Sequence, residues 1–395
     1  MRRREQSRRL NRIKPEVVAL ITVKAGSYVH QLLQLLSVAG EFPTASLRLL
    51  GNERVIKALV HRLELVQEIR LSVGGPVYRV KVFQVSGQRD RRTVRLCKEA
   101  LPLLAELYPG ALAYYLSAFH NHQFPGSADH VWRNHRVGEA IAVAMMADLE
   151  FRPCALPKLQ SSSIQRTVLD TPSYYIARDF KFNEVERMSK TVFTRVVGAA
   201  FYPGGCYAVY NTRGAVMKWA GRGEFKIADH LGELVRRNAG LREVNSMLLL
   251  ASDPMIALRT ILESDKRNEL RLDTIYSYVH YIPLDSEGVR LLRILVLPNW
   301  KEKILSALFR PDLRPSGHGS MEYDAIAGGV CVLSHLDSDL ARLIRFREGF
   351  RDKTDKAFEV MCFPWQRAYL QEYLGDLVTL RTIEMEVLEH ALFKM

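Results

Sequence analysis

From Val196 onward, short apolar runs of strand length alternate with stretches of helical pattern. The strand-like runs are VVGAAFY, CYAVYNT, AVMKWAG, MLLLAS, IYSYVHYIPL, LRILVLP, GVCVLSHL, AFEVMCF and LVTLRTI. Helical stretches fall near 227–239, 254–264, 300–309, 338–349, 365–374 and 384–393. A buried strand needs cover on both faces, and helices between strands supply it. The alternation therefore predicts an α/β fold with a mixed sheet. In such sheets ligands usually bind at the carboxyl ends of the strands. Neither G-x-x-x-x-G-K-[ST] nor G-x-G-x-x-G after a strand occurs. That disfavours an ATPase or a dinucleotide enzyme, and no cofactor is expected.

The first hundred residues have a different pattern. Residues 28–38, YVHQLLQLLSV, place apolar side chains at helical spacing, and Gly40 is a helix stop. Pro43 opens a short second helix, PTASLRLL, which Gly51 ends. Asn52 caps a third, ERVIKALVHRLELV, with Glu53 complementing the helix dipole. Val55, Leu59 and Leu63, widened by Ile56, Val60 and Val66, form its inward face, leaving Arg54, Lys57, His61 and Arg62 largely outside it. Ile69, Leu71 and Val73, then Val80 and Val82, alternate around Gly74 and Gly75, which supply the backbone freedom of a tight hairpin. A fourth helix is expected over TVRLCKEALPLLAELY, with Arg89, Arg91, Arg92 and Arg95 near its start. Three helices followed by a hairpin are in the order of a winged helix-turn-helix, with the glycine hairpin as the wing.

Charge follows the same division. The chain of 395 residues carries a formal +13. Residues 1–100 hold 20 Lys and Arg against 8 Asp and Glu, whereas the remaining 295 hold 36 against 35. Excess charge confined to one segment makes a local positive potential that attracts polyanions. Residues 1–16 read as a flexible basic arm with Arg2, Arg3, Arg4, Arg8, Arg9, Arg12 and Lys14. A helix fits the major groove of B-form DNA, and its polar face reads base edges. Arg54, Lys57, His61 and Arg62 sit where that helix would face bases or phosphates. Arg79 and Lys81 of the wing, with the arm arginines, would neutralise phosphate.

The expected domains are the arm 1–16, a winged helix-turn-helix domain 17–110, a helical connector 111–160, a loop-rich linker 161–190 and an α/β domain 191–395. Length alone suggests two or three domains. No apolar run is long enough to span a bilayer, and the basic start has no signal-peptide core after it. An Arg-rich, acid-poor start also invites reading as a mitochondrial presequence, but Pro15 spoils the amphipathic helix. Cys97, Cys154, Cys206, Cys331 and Cys362 are far apart and make no C-x-x-C pair, which argues against a zinc knuckle and a disulfide framework. The expected compartment is the cytoplasm.

Chemistry-bearing motifs are few. His120, His122, His130 and His135 cluster in one segment, but no H-E-x-x-H appears and no metal site is expected. Residues 131–149 read as a packing helix with Val137, Ile141, Met145 and Leu149 on one stripe. The segment CYAVYNTRGAVMKWAGRGEFK reads as strand, turn at Asn211 to Gly214, strand and glycine-rich bend, ending in the E-x-K pair Glu224 and Lys226. Nucleases of the PD-(D/E)xK type put such a pair on a strand beside an acid on its neighbour, so that carboxylates hold Mg²⁺. Asn211, neutral and a poorer ligand for a hard cation, stands where the first acid is expected. The plain alternative is a surface hairpin whose Tyr210 and Trp219 pack inward. Glu322, Asp324, Asp337 and Asp339 have a cation-binding reading, but Asp337 and Asp339 better suit caps for the helix that follows.

Other motifs carry a resemblance. The glycine wing, the H-R-x-G-E helix (His135 to Glu139) and a strand-rich segment before an α/β tail resemble replication-relaxation-type proteins of plasmids and integrative conjugative elements. The Y-N-T-x6-W-x4-E arrangement (Tyr210, Asn211, Thr212, Trp219, Glu224) and the C-F-x-W-Q-x3-L run (Cys362 to Leu370) are similar to relatives from clostridial elements. The resemblance implies DNA binding in replication, mobilisation or transcriptional control of a mobile element, and carries no catalytic residues. The resulting expectation is a non-enzymatic double-stranded DNA-binding protein with a C-terminal α/β domain. Two alternatives stand beside it. One is an Mg²⁺-dependent nuclease on Glu224 and Lys226, with the α/β domain a degraded PD-(D/E)xK-like core in the milder version. The other is a scaffold for a relaxase or replication initiator. Two-fold DNA sites would require a homodimer.

Overall fold

The computed structural model describes residues 20–120, 122–124, 127–182, 196–242, 244–315, 322–350 and 356–393. The basic arm, with Arg2, Arg3, Arg4, Arg8 and Arg9, lies outside the described residues. The described residues fold as mixed α/β with four sheets.

The first part runs β1 (Leu20–Thr22), α1 (Tyr28–Ala39), β2 (Glu41–Pro43), a 3-10 segment Thr44–Leu50, α2 (Glu53–Leu63), β3 (Gln67–Arg70), β4 (Tyr78–Val80), β5 (Phe83–Ser86) and β6 (Thr93–Leu96). Helix α1 is capped by the Ser27 hydroxyl, which accepts from the His30 amide, and ends at Gly40 with φ +75°. Helix α2 begins where the sequence places it, with Asn52 Oδ1 accepting from the Val55 amide. Its buried face is Ile56, Val60 and Leu63. Val55 and Val66, expected on that face, are instead exposed.

The glycine hairpin forms between β3 and β4, with Gly74 at φ +80°, and β1 adds to it in parallel. A second sheet, β2-β6-β5, is antiparallel throughout. It corrects the expected fourth helix: TVRL is strand β6, and helix α3 (Pro102–Leu107) starts only at the proline. Thr93 and Val94 are β-branched and both buried in the sheet, while proline is at home in a helix's first turn and not in its interior.

Helices α4 (Ala111–Ala118), α5 (Ala128–Met146) and α6 (Ile164–Asp170) lead into a five-stranded sheet in the order β11-β10-β9-β8-β7. Its members are β7 (Ser173–Ile176), β8 (Val196–Tyr202), β9 (Gly205–Arg213), β10 (Ser246–Ala251) and β11 (Tyr278–Pro283). Strands β9, β10 and β11 are parallel, while β8 runs antiparallel to both β9 and β7. Strand β7 and α6 therefore fall inside the segment 161–190 that was expected as a linker. Helices α7 (Arg222–Asn238) and α8 (Met255–Asp265) cross between the parallel strands, with a short α9 (Leu272–Ile275) before β11.

Alternation divides the sheet's side chains cleanly. Val197, Ala200, Tyr207, Val209, Leu248, Leu250 and Ile282 face α5 and the first part of the chain. Ala199, Phe201, Ala208, Tyr210, Met247, Leu249 and Tyr281 face α7 and α8. Helix α5 is thus buried on every side through its carboxyl half. Its expected single stripe is replaced by a continuous buried run, 138–144. Gly138 permits the close approach to β2, since a Cβ there would stand 3.1 Å from the Glu41 carbonyl oxygen and 3.2 Å from the Phe42 ring.

Two expected strands are not strands. AVMKWAG is irregular chain outside any sheet, although Met217 and Trp219 are buried and the indole donates to the Leu270 carbonyl at 2.7 Å. LRILVLP lies mostly in helix α10 (Ser286–Leu295), which buries Val289, Leu291, Leu292, Ile294 and Leu295 and keeps Ser286, Glu287, Arg290 and Arg293 on its outer side.

After α11 (Trp300–Leu308) a four-stranded sheet, β12-β13-β14-β15, completes the fold. It comprises β12 (Ala325–Ala327), β13 (Val330–Ser334), α12 (Leu340–Phe350), β14 (Ala357–Cys362), α13 (Arg367–Leu374), β15 (Val378–Thr382) and a closing helix α14 (Met385–Phe393). Its plan repeats that of the larger sheet: an antiparallel hairpin followed by two parallel βα crossovers. The expected single α/β domain therefore carries two sheets, and one apolar core runs through α7, α8, α12 and α13 between them. Arg342 anchors this seam. Buried, it meets Asp324 at 2.7 Å, Glu322 at 2.7 Å and Asp337 at 3.6 Å. Asp339 caps α12 as expected, accepting from the Ala341 and Arg342 amides, and also accepts from the Val279 amide at the edge of β11.

Candidate nucleic-acid interface and the cleft behind it

The exposed face of α2 carries Arg54, Lys57, His61 and Arg62, as the sequence predicts. Lys57 pairs with Glu53 along the helix at 2.5 Å, and His61 Nδ1 stands 3.1 Å from Glu64. Among the described residues Arg54 and Arg62 make no ion pair. Exposed helical pairs of this kind are weak, about 0.3–0.5 kcal/mol, and are readily exchanged for a phosphate.

A groove of about 220 Å³ runs beside this face. Lys57, Val60, His61 and Glu64 of α2 line one wall; Thr44, Val85 and Arg92 line the other. The hairpin that shares the groove is therefore β5–β6, whose turn carries the exposed Arg89, Arg91 and Arg92. The glycine hairpin stands elsewhere: Arg79 is exposed on β4 opposite Glu68, and Lys81 lies just before the Val82 amide that donates to the Leu63 carbonyl at the end of α2. Sequence reasoning missed the second hairpin because it took 93–96 for helix.

Behind the 3-10 segment lies a buried polar network. Glu139 of α5 accepts from Arg213 Nε at 3.0 Å, from Asn211 Nδ2 at 3.0 Å and from the Ser46 hydroxyl at 2.6 Å. Asn211 also donates to the Arg136 carbonyl. His135 Nε2 meets the Thr93 hydroxyl at 2.9 Å. Burial, with Arg213 and Arg95 nearby, pushes the His135 pKa down to about 3, so the ring is neutral at pH 7. On β2, Glu41 pairs with Arg95 and accepts from Asn134. The network ties β2, β6, α5 and β9 together.

A cavity of about 520 Å³ opens beside it, where β9, β10 and β11 end. Its walls include Ser46 and Arg48 of the 3-10 segment, Asp90 of the β5–β6 turn, Trp132, Arg136 and Glu139 of α5, Arg213, Ser252 and Leu284. A smaller pocket shares Arg136, Thr212 and Ala215 with it and adds Lys218.

Glu224 and Lys226 do not take the places a nuclease needs. They occupy the first turn of α7, with Glu224 buried and Lys226 exposed, and Asn211 is committed to Glu139 and the Arg136 carbonyl. Gly221, at φ +77°, turns the chain into α7, whose buried Ile227, Leu231, Leu234 and Val235 recur at helical spacing, where the sequence suggested a bend after a strand. Among the described residues no group of three or more His, Cys, Asp or Glu is arranged to hold a metal ion, and no helix is long and apolar enough to cross a membrane. Compared with protein-family models, curated proteins and solved structures, the chain matches none.

Proposed function

We propose that the chain is a double-stranded DNA-binding protein that presents α2 to the major groove. In this reading α1, the 3-10 segment and α2 make the helix-turn-helix, the β2-β6-β5 sheet backs it, and the β5–β6 turn is the wing. Arg54, Lys57, His61 and Arg62 face bases and phosphates. Arg89, Arg91 and Arg92 of the wing, Arg79 and Lys81 beyond it, and the arm arginines neutralise the backbone. The observation that carries the reading is the cationic, solvent-facing side of α2 sharing one groove with Arg92. A helix whose polar face is uncovered and basic, beside a basic hairpin, matches the dimensions and charge of a duplex. The motif resemblance adds the biological setting: replication, mobilisation or transcriptional control of a mobile element, with a relaxase or replication initiator as a protein partner.

The test is DNA selection from a random duplex pool, followed by fluorescence anisotropy on the winning site. Affinity should fall with salt at a slope of about −0.9 per phosphate neutralised. The Lys57→Ala/Arg62→Ala double variant should flatten that slope by about 2 if both side chains contact phosphate. Unchanged affinity and slope in the double variant would remove α2 as the reader.

A further inference from the structure

We infer that the cavity between the 3-10 segment and the carboxyl ends of β9, β10 and β11 binds a mononucleotide, with its phosphate on Arg136 and Arg48 and its base against Trp132. The claim concerns a small ligand and stands apart from the DNA-binding reading.

Three observations carry it. The first is position: the cavity sits at the ends of three parallel strands, where open α/β sheets bind ligands. The second is charge. Arg48, Arg136 and Arg213 line the cavity against Asp90 and Glu139. Glu139 is already committed to Arg213, Asn211 and Ser46. Among the described residues the half-buried Arg136 guanidinium makes no hydrogen bond and no ion pair. Burial, with Arg133 and Arg213 close by, lowers its pKa and outweighs the opposing pull of Glu139 and Asp129, neither of which it pairs with. An arginine fork held in a cleft with nothing to bond suits a phosphate, which it can grip through two N–H groups.

The third observation is size and shape. At about 520 Å³ the cavity is far larger than one phosphate requires. It falls within the roughly 300–1,000 Å³ typical of small-molecule sites. Trp132 adds an indole on which a base can stack, and Ser46 and Ser252 add hydroxyls at the walls. Arg213 already lies over the Trp132 ring at 5.0 Å, which fixes the indole in place. An occupant would touch the segment that precedes α2, the β5–β6 turn and the large sheet at once.

Isothermal titration calorimetry on the full chain, without DNA, tests this with AMP, GMP, CMP and UMP, and with adenosine and inorganic phosphate as separate probes. At least one mononucleotide should bind, with adenosine and inorganic phosphate each at least tenfold weaker. Arg136→Gln and Arg136→Ala should each weaken the nucleotide at least tenfold while leaving the Tm of the unliganded protein within about 2 °C of wild type, because the Arg136 guanidinium makes no hydrogen bond or ion pair among the described residues. Trp132→Phe should retain binding better than Trp132→Leu. No heat from any mononucleotide at millimolar concentration would overturn the inference. So would inorganic phosphate binding as tightly as the nucleotides, or equal nucleotide affinity in the Arg136 variants. None of these outcomes bears on DNA binding.

Discussion

Replacing Arg342 with methionine isolates the energetics of the seam between the two α/β sheets. Its side chain is 3% exposed and faces three carboxylates, Asp324 and Asp337 themselves buried. Methionine fills the space and leaves Asp324 and Asp337 without their cation, while Glu322 keeps Arg345 at 3.2 Å. Removing one partner from a buried pair costs about 3–5 kcal/mol. If the chain unfolds as one unit, an unfolding entropy of about 2.1 cal/mol/K per residue turns that loss into a Tm drop of roughly 4–6 °C at pH 8.

The pH dependence gives a sharper test. Burial pushes the Asp337 carboxyl up, but Arg342, with His280 and His335, outweighs it and holds the pKa below the usual value. Stability from Asp337 is therefore present above its unfolded pKa and lost as pH falls through the folded one. Burial outweighs Arg342 at Asp324, whose pKa is raised. Without Arg342 both carboxyls rise, so the variant regains stability in acid, where they are protonated, and loses it as pH increases. Differential scanning fluorimetry from pH 5 to pH 8 should show a deficit that widens with pH. Adding Asp324→Asn should recover part of it at pH 8, since the amide oxygen can still accept from the Ser334 amide that bonds Asp324 at 2.8 Å. A deficit independent of pH, or none at pH 8, would refute the argument that uncompensated buried charge sets the cost.

Other outcomes follow from single contacts. Asn52→Ala removes the α2 cap and should cost about 1 kcal/mol by urea denaturation, with Asn52→Asp close to wild type. Gly138→Val drives two methyls toward the Glu41 carbonyl and the Phe42 ring and should destabilise by about 1–3 kcal/mol or more, whereas Gly223→Ala, where a Cβ meets nothing within 4 Å, should be neutral or stabilising. Glu139→Gln keeps an acceptor for Asn211 but leaves Arg213 without its anion. It should lower Tm, with Glu139→Asp restoring less than the full value because the carboxylate no longer reaches all three donors.

The sequence made legible whatever was written in local pattern. The Asn52 cap, Ile56, Val60 and Leu63 at helical spacing, and the unbroken apolar runs of β8 to β10 each declare their element within a few residues. Errors arose where neighbours distant in the chain decided the outcome. TVRL joined a sheet because β2, some fifty residues earlier, supplied a pairing edge. LRILVLP is the carboxyl end of a longer amphipathic stretch, and read without Glu287 and Arg290 before it the short apolar run does not separate helix from strand. Pro102 was the signal that should have split the expected fourth helix.

The α2 face was legible because its cations lie on one helix. The cleft was not, since Arg48, Trp132, Arg136, Arg213 and Ser252 come from segments more than two hundred residues apart and no spacing rule connects them. A partial clue existed: the H-R-x-G-E and Y-N-T segments, noticed only as a family likeness, are the two that meet through Glu139 and Asn211.

The helices of the smaller sheet serve two masters. Helix α12 packs on β11 of the larger sheet, and α13 touches both β15 and α8. Cutting the chain before β12 would therefore strip cladding from the larger sheet instead of releasing an independent half, leaving Tyr281, Leu249 and their neighbours partly unclad. Fragments divided at that point should come out insoluble when made separately and soluble when made together, which makes the segment from β12 onward a built-in chaperone for the rest.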